Sequence, residues 1–115
     1  LAIEIYEKPI LDIEVEILNG CGVPGLAGKV SDYLRSQQMD VVRSENADHY
    51  NYDQTMLILR NENFEGLKKV ALSFGINEQD EVRIKHIPDE ELSVDITVII
   101  GSDFATLKPL VDYLK

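Results

Sequence analysis

Changes in the period of hydrophobic and polar positions divide this chain into short strands and helices. Residues 11–18 alternate apolar with acidic side chains, which predicts a β-strand with one buried and one solvated face. Runs rich in apolar and β-branched residues predict further strands at 41–43, 55–60, 82–87 and 94–100. The 55–60 run is apolar on both faces, so we expect it in the interior of the sheet.

Three segments place apolar residues at helical spacing. The first covers 24–38, opens with Pro24 and turns Leu26, Val30 and Leu34 inward. The second begins at the Asn63 cap and ends at Gly75. The inward residues are expected to be Phe64, Leu67, Val70, Ala71 and Phe74 in the second helix, and Phe104, Leu107, Leu110, Val111 and Leu114 in a last helix that Pro109 kinks or delays.

The resulting element order is β-α-β-β-α-β-β-α, which is an α/β arrangement. Strands with one solvated face need cover on the other face alone, so we expect a two-layer sandwich with the helices on one face of a mixed sheet. The open face would carry Asp12, Glu14, Glu16, Arg83, Lys85, Asp95 and Thr97. Residues 1–10 contain Pro9 and are expected to be a linker or an edge strand, which leaves 11–115 as one domain.

Charge and length restrict the classes of partner. The chain has 115 residues and a formal net charge of −10, and its basic residues are scattered. Nucleic acids and anionic membrane surfaces require clustered Lys and Arg, so neither is expected as a partner. No run approaches the 18 apolar residues of a membrane span, so we expect no direct membrane insertion. The chain begins with Leu1, and any signal or anchor is expected before it.

The turn after the first strand is the most informative segment. Gly20, Gly22, Gly25 and Gly28 lie within nine residues, between the predicted strand and the predicted helix. Glycine permits left-handed backbone and close approach, and a helix N-terminus carries unpaired N–H groups. Such a turn is suited to hold an anion, a carbonyl or a carboxylate.

The first three of these glycines have the spacing of a dinucleotide-binding fingerprint, and Glu45 lies near the position of the ribose-binding acid. The first strand of a Rossmann fold is apolar on both faces, whereas residues 11–18 carry alternating carboxylates. The chain is also too short for two mononucleotide-binding halves. We therefore expect no dinucleotide and no other cofactor.

Candidate catalytic side chains are few. Cys21 precedes a helix N-terminus, which would stabilise a thiolate, but no base is adjacent in sequence. His49 and His86 are far apart and have no metal-ligand spacing. We expect Cys21 to be a small turn residue and expect neither a catalytic set nor a metal site. A thiol-dependent enzyme is the alternative.

A polar loop is predicted at 44–54. It combines aromatic faces with hydrogen-bonding groups at Asn46, Asp48, His49, Tyr50, Asn51, Tyr52 and Asp53. That mixture suits sugar rings or a polar peptide. The alternative is an Asx-rich turn whose tyrosines cover the edge of the core.

Three blocks of sequence resemble the LytR C-terminal domain family over residues 11–105. They are Ile-Leu-Asn-Gly-Cys-Gly-Val-Pro-Gly-Leu-Ala at 17–27, Asn-Ala-Asp at 46–48, and Val-Asp-Ile-Thr-Val-Ile-Ile-Gly-Ser-Asp-Phe at 94–104. The family often has Thr or Ser where this chain has Cys21. The resemblance implies an accessory domain of the cell envelope, outside the cytoplasm, rather than a catalyst.

The sequence therefore predicts a non-enzymatic, extracytoplasmic binding or accessory domain, tethered by a segment before residue 1. Its expected partner is peptidoglycan, an envelope glycan or an envelope protein. The expected binding residues are Asn19, Gly20, Cys21, Gly22, Val23, Gly25, Asn46, Asp48, Tyr50 and Tyr52. They would adjoin if the first two strands are parallel, because crevices beyond parallel strand ends commonly bind ligands. The alternative is an assembly module that pairs through a sheet edge or its polar face.

Overall fold

Two strand–helix–strand units and a fifth strand build one sheet in the computed structural model, which describes residues 13–115. The first unit comprises β1 (Glu14–Asn19), α1 (Leu26–Ser36) and β2 (Asp40–Asn46), and the second β3 (Met56–Leu59), α2 (Phe64–Phe74) and β4 (Ile84–His86). β5 (Ile96–Ile100) and α3 (Lys108–Leu114) are the remaining strand and α-helix of the described residues. The linker or edge strand expected at 1–10 lies outside them.

The strand order is β2-β1-β5-β3-β4. β1 runs parallel to β2 and β5, β3 runs parallel to β4, and β3 and β5 are antiparallel. The mixed sheet, the α/β class and the interior position of the 55–60 run are confirmed. The C-terminal ends of β1, β2 and β5 consequently lie at one edge of the sheet, and those of β3 and β4 lie at the opposite edge.

The helices form a layer on one face of the sheet. Tyr33 of α1 donates its hydroxyl to the carbonyl of Ser73 in α2, and its ring also contacts Phe74 and Tyr113. The expected inward residues of α1, and those of α2 from Leu67 onward, are buried. Phe64, the first residue of α2, was expected inward but is 51 % exposed, and its ring contacts His86 at the end of β4. No helix in residues 13–115 is long and apolar enough to cross a bilayer.

Glycine and proline determine several helix ends. α1 begins at Leu26, two residues later than expected, because its N-cap Gly25 has left-handed backbone (φ 75°). The Asn63 side chain accepts a hydrogen bond from Gly66 N–H, and Gly75 ends α2 in the left-handed region, as expected. Pro109 lies in the first turn of α3, after a 3-10 turn over Ser102–Thr106, which confirms that the last helix is delayed.

The sheet face opposite the helices is less solvated than the alternation predicted. Glu16 and Thr97 were expected on a solvated face but are 6 % and 0 % exposed. Arg43 Nε donates to Glu16 Oε1 (3.0 Å), Thr97 Oγ1 donates to Glu16 Oε2 (2.6 Å), and Arg60 Nε donates to Thr97 Oγ1 (3.0 Å). The two guanidinium groups also bind the carbonyls of Leu92 and Ile87. Side chains from neighbouring strands and the 87–92 segment therefore cover this part of the face.

The remaining residues expected on that face divide into three groups. Glu14 and Lys85 are exposed and Asp95 is half-buried, whereas Asp12 lies outside the described residues. Arg83 precedes β4 and extends instead to Asp103, at the sheet edge where β5 ends. The alternation therefore identified the polar face but not which of its members are covered.

Candidate functional site

The glycine turn after β1 and the loop after β2 lie side by side, as expected for parallel strands. Asn19 pairs with Asn46 in the sheet register. Beyond that pair, Ala47 N–H donates to the carbonyl of Asn19 (2.9 Å), and Tyr52 N–H donates to the carbonyl of Gly20 (3.1 Å). β2 continues to Asn46, so the polar segment begins later than the predicted 44–54 loop.

The same loop is held on its other side by the chain that follows β5. Ser102 N–H donates to the carbonyl of Tyr52 (2.9 Å), and Asp103 N–H donates to the carbonyl of Asp53 (3.2 Å). The loop at 47–55 therefore crosses the C-terminal ends of β1 and β5. This is the edge at which α/β sheets usually bind ligands.

Three glycines make room for the loop. A Cβ on Gly20 would lie 2.7 Å from Tyr52 Cδ2, and one on Gly22 would lie 3.2 Å from the Tyr50 ring. A Cβ on Gly101 would lie 2.4 Å from the carbonyl carbon of Gln54. Close approach of the protein's own loop thus explains Gly20 and Gly22, whereas Gly25 has open space at its Cβ position and a left-handed backbone.

The side chain of Asn19 organises the turn from within. Its Oδ1 accepts from the N–H groups of Cys21 (3.1 Å) and Gly22 (3.0 Å), and its Nδ2 donates to the carbonyl of Val23 (2.8 Å). Gly20 N–H donates to the carbonyl of Ile100 (2.8 Å). The expectation that this turn offers free N–H groups is therefore wrong for Gly20, Cys21 and Gly22. The buried side chain of Asn19 accepts from Cys21 and Gly22, and β5 accepts from Gly20.

The outer surface of the loop is aromatic. The His49 ring stacks on Tyr52, with ring centroids 4.3 Å apart and planes within 5°. Tyr50 is 51 % exposed and lies over Gly22. We call Asp48, His49, Tyr50 and Tyr52 the loop platform. Val23, 38 % exposed, belongs to the adjoining turn.

Hydrogen bonds fix the chemical state of the platform. The Tyr52 hydroxyl donates to Asp48 Oδ1 (2.8 Å), which lowers the pKa of the Asp48 carboxyl and raises the pKa of the Tyr52 hydroxyl. His49 Nδ1 accepts from Asn51 N–H (3.1 Å). At neutral pH the platform therefore presents a carboxylate beside two aromatic faces.

The structure does not bring Cys21 and a histidine into a catalytic set. Cys21 Sγ lies 3.7 Å from Asn19 Oδ1, and the half-buried side chain packs against the core. His86 ends β4 at the opposite edge of the sheet, where Nε2 lies 2.9 Å from the carbonyl of Asn61. The His49 ring stacks on Tyr52, and the Cys21 thiol makes its hydrogen bond to Asn19 instead of to this histidine. Within residues 13–115, no cluster of three or more His, Cys, Asp and Glu side chains could hold a metal ion.

Sequence reasoning missed the residues that fasten the far end of the loop. Thr55 is fully buried, and both its N–H and its hydroxyl donate to Asp103 Oδ1 (2.9 and 2.8 Å). Gly101 N–H donates to Thr55 Oγ1 (3.1 Å). Arg83 Nη2 donates to Asp103 Oδ2 (2.8 Å), and this ion pair raises the pKa of the guanidinium. One sequence signal was available: Gly101-Ser102-Asp103 follows β5 as the glycine turn follows β1.

Comparison with known proteins gives one match. The family model described as LytR cell envelope-related transcriptional attenuator matches residues 12–104. That range contains all five strands, the glycine turn, the loop and the Gly101–Asp103 segment. No curated protein and no solved structure matches the chain.

Proposed function

The chain belongs to the cell-envelope-related LytR C-terminal domain family, and from that membership we propose an extracytoplasmic, non-enzymatic accessory domain that binds an envelope glycan through its loop platform. One observation carries the proposal: the exposed Tyr50 ring lies over Gly22 beside the stacked His49–Tyr52 pair. In this proposal the domain is held at the envelope by a segment before residue 1.

Aromatic faces of this kind suit a sugar ring. The C–H groups of a pyranose pack on an aromatic face, while its hydroxyl groups need acceptors at the rim. Here Asp48 supplies carboxylate oxygens at the edge of the stacked pair. Backbone hydrogen bonds hold the loop on both sides, so binding would cost little ordering of the platform.

The geometry favours contact through the ring of the sugar rather than through a carboxylate. Asn19 and Ile100 accept the hydrogen bonds of three N–H groups that a ligand carboxylate would have used. Asp48 would also repel an anion at short range. Peptidoglycan fragments are therefore expected to bind through their sugar rings, with millimolar to micromolar affinity, about −4 to −8 kcal/mol.

A non-enzymatic role is supported by the surroundings of the candidate nucleophile. The side-chain partner of Cys21 is the amide oxygen of Asn19, which cannot act as a general base. Turnover of peptidoglycan by the purified chain, abolished in Cys21→Ser, would show that this part of the proposal is wrong.

NMR shift mapping with soluble peptidoglycan fragments tests the binding site. We expect shifts at 48–52 and at Gly22 and Val23, and at least a fivefold weaker affinity for Tyr50→Ala. Tyr113→Ala is the matched control, because it removes another exposed tyrosine, on α3. The proposal fails if the platform does not shift at several millimolar ligand, or if both variants bind like the wild type.

A further inference from the structure

The outer side of α2 carries a stripe with two exposed apolar side chains outside the core, one of which, Phe64, contacts His86. Phe64, Lys68 and Leu72 are spaced four residues apart and so share one helix face. Phe64 is 51 % exposed and Leu72 is 78 % exposed. The inner stripe of α2 already fills the core, so these two side chains remain at the surface.

A shallow depression runs beside this stripe, between α2 and the turn at 77–79. At one end it is lined by Phe64, Glu65, Leu67, Lys68, Glu78 and Gln79. It continues along the helix past Lys69 and Leu72. We call the stripe and the depression together the α2 face.

The charge of the α2 face differs from that of the whole protein. Lys68 and Lys69 are balanced there by Glu65 and Glu78. The chain as a whole has 21 acidic and 11 basic residues, a net charge of −10. Two copies that approach through acidic surfaces repel each other, whereas two α2 faces meet with no net charge.

We propose that the α2 face pairs with the α2 face of a second copy of this chain, with the two helices antiparallel about a two-fold axis. Such an interface must be self-complementary. Phe64 and Leu72 are eight residues apart, about 12 Å along the helix, and an antiparallel arrangement places each one against the other in the second copy. The same arrangement brings Glu65 toward Lys69 of the second copy.

Both the apolar and the charged pattern of the face favour a second copy over a different protein. Each apolar end contacts an apolar end of the second copy, and Glu65 of each copy lies opposite Lys69 of the other. Lys68, which lies near the axis, is flanked by Glu65 and Glu78 of its own copy. The pairing is independent of the proposed glycan site, because α2 covers the β3–β4 half of the sheet whereas the loop platform lies beyond β1 and β2.

The face is small, so the dimer is expected to be weak. One helix stripe and a shallow depression bury less than the roughly 800 Å² per partner of a standard interface. We expect a dissociation constant between about 10 μM and 1 mM.

Sedimentation equilibrium of the 115-residue chain from 10 μM to 1 mM tests the pairing. We expect a concentration-dependent monomer–dimer equilibrium that Leu72→Glu weakens at least tenfold. Val42→Glu is the matched control, because it adds the same charge at an exposed apolar residue on the edge strand β2 and should leave the equilibrium unchanged.

A charge exchange gives a second test on exposed side chains. Lys69→Glu should weaken the dimer, and Glu65→Lys combined with Lys69→Glu should restore it. A chain that stays monomeric at 1 mM overturns the proposal, whichever other molecule the face contacts. A dimer that Leu72→Glu and Lys69→Glu leave intact also overturns it.

Discussion

Tyr50 packs its ring against Gly22, so closely that a Cβ there would meet the ring at less than an ordinary van der Waals distance. A Cβ on Gly22 would lie 3.2 Å from the ring, and the residue also has left-handed backbone (φ 76°). Gly25 has almost the same φ, 75°, but no atom lies within 4 Å of its Cβ position. Both glycines have positive φ but only Gly22 has a close neighbour, so together they separate the effect of backbone strain from that of packing.

Gly22→Ala should therefore destabilise the fold more than Gly25→Ala. We expect about 1 kcal/mol for Gly25→Ala, from the left-handed backbone alone, and about 2 kcal/mol for Gly22→Ala. Urea denaturation gives both free energies of unfolding. In a Tyr50→Ala background, Gly22→Ala and Gly25→Ala should lower the free energy of unfolding by the same amount. If the difference between the two variants is the same as in the wild-type background, the Tyr50 contact has no effect.

Gly101→Ala should be the most damaging alanine substitution at a glycine. Its Cβ would lie 2.4 Å from the backbone carbonyl carbon of Gln54, which cannot rotate away as a side chain can. The loop would have to leave its position, so we expect more than about 3 kcal/mol lost or no folded protein. The measurement is the free energy of unfolding from urea denaturation.

Gly28→Ala serves as the control for that measurement. Gly28 lies inside α1 with open space at its Cβ position, so alanine should stabilise the protein by about 0.5–1 kcal/mol through helix propensity. Equal effects at Gly28 and Gly101 would contradict the role of Gly101 in seating the loop.

The local sequence was sufficient to predict a glycine turn and a polar loop, because residue period and turn chemistry are local properties, but it predicted that the two adjoin only if the first two strands are parallel. Sequence reasoning overlooked a local signal in that turn: Asn19 accepts from the N–H groups of Cys21 and Gly22, two and three residues further on, as Asn does in an Asx turn. The bond from Gly20 N–H to the Ile100 carbonyl is not local, because it depends on which strand lies beside β1.

The same distinction between local patterns and contacts with distant parts of the chain explains the errors in the predicted fold. Alternation correctly identified the polar side of β1, but the burial of Glu16 depends on Arg43 and Thr97, which come from two other strands. Helical spacing predicted that Phe64 points inward, but this first residue of α2 is 51 % exposed and its ring lies against His86 of β4. Helical spacing alone cannot show which residues of a first turn the core covers.

Thr97→Val tests the buried network on that face. The substitution keeps the shape but leaves Glu16 Oε2 without the 2.6 Å hydrogen bond and removes the acceptor of Arg60 Nε. A buried carboxylate oxygen that loses its donor should cost about 1–3 kcal/mol in the free energy of unfolding. Thr106→Val, at an exposed threonine, is the control and should change the free energy by less than about 0.5 kcal/mol. An effect of that small size for Thr97→Val would mean that water replaces the lost bond.

Asp80 should make the stability of the protein depend on acid pH. Its carboxyl accepts from the N–H groups of Val82 and Arg83 and pairs with the Arg83 guanidinium (3.1 Å). The pKa of the Asp80 carboxyl lies below the usual value of 3.8, chiefly because the backbone N–H of Arg83 donates to it and also because the Arg83 side chain does so. The folded state therefore binds this proton less readily than the unfolded state does.

The sign of the effect follows from that difference. Above the unfolded pKa, near pH 4, Asp80 is ionised in both states and its full stabilising contribution is present. As the pH falls below 4 and then through the lower folded pKa, the unfolded chain takes up the proton first and the contribution is lost. Asp80→Asn should therefore lower the free energy of unfolding at pH 7 and lose less of it between pH 5 and pH 2.5. Glu81→Gln, at the exposed neighbouring position, should retain the acid dependence of the wild type. Parallel pH profiles for wild type and Asp80→Asn would show that the Asp80–Arg83 contacts do not couple protonation to folding.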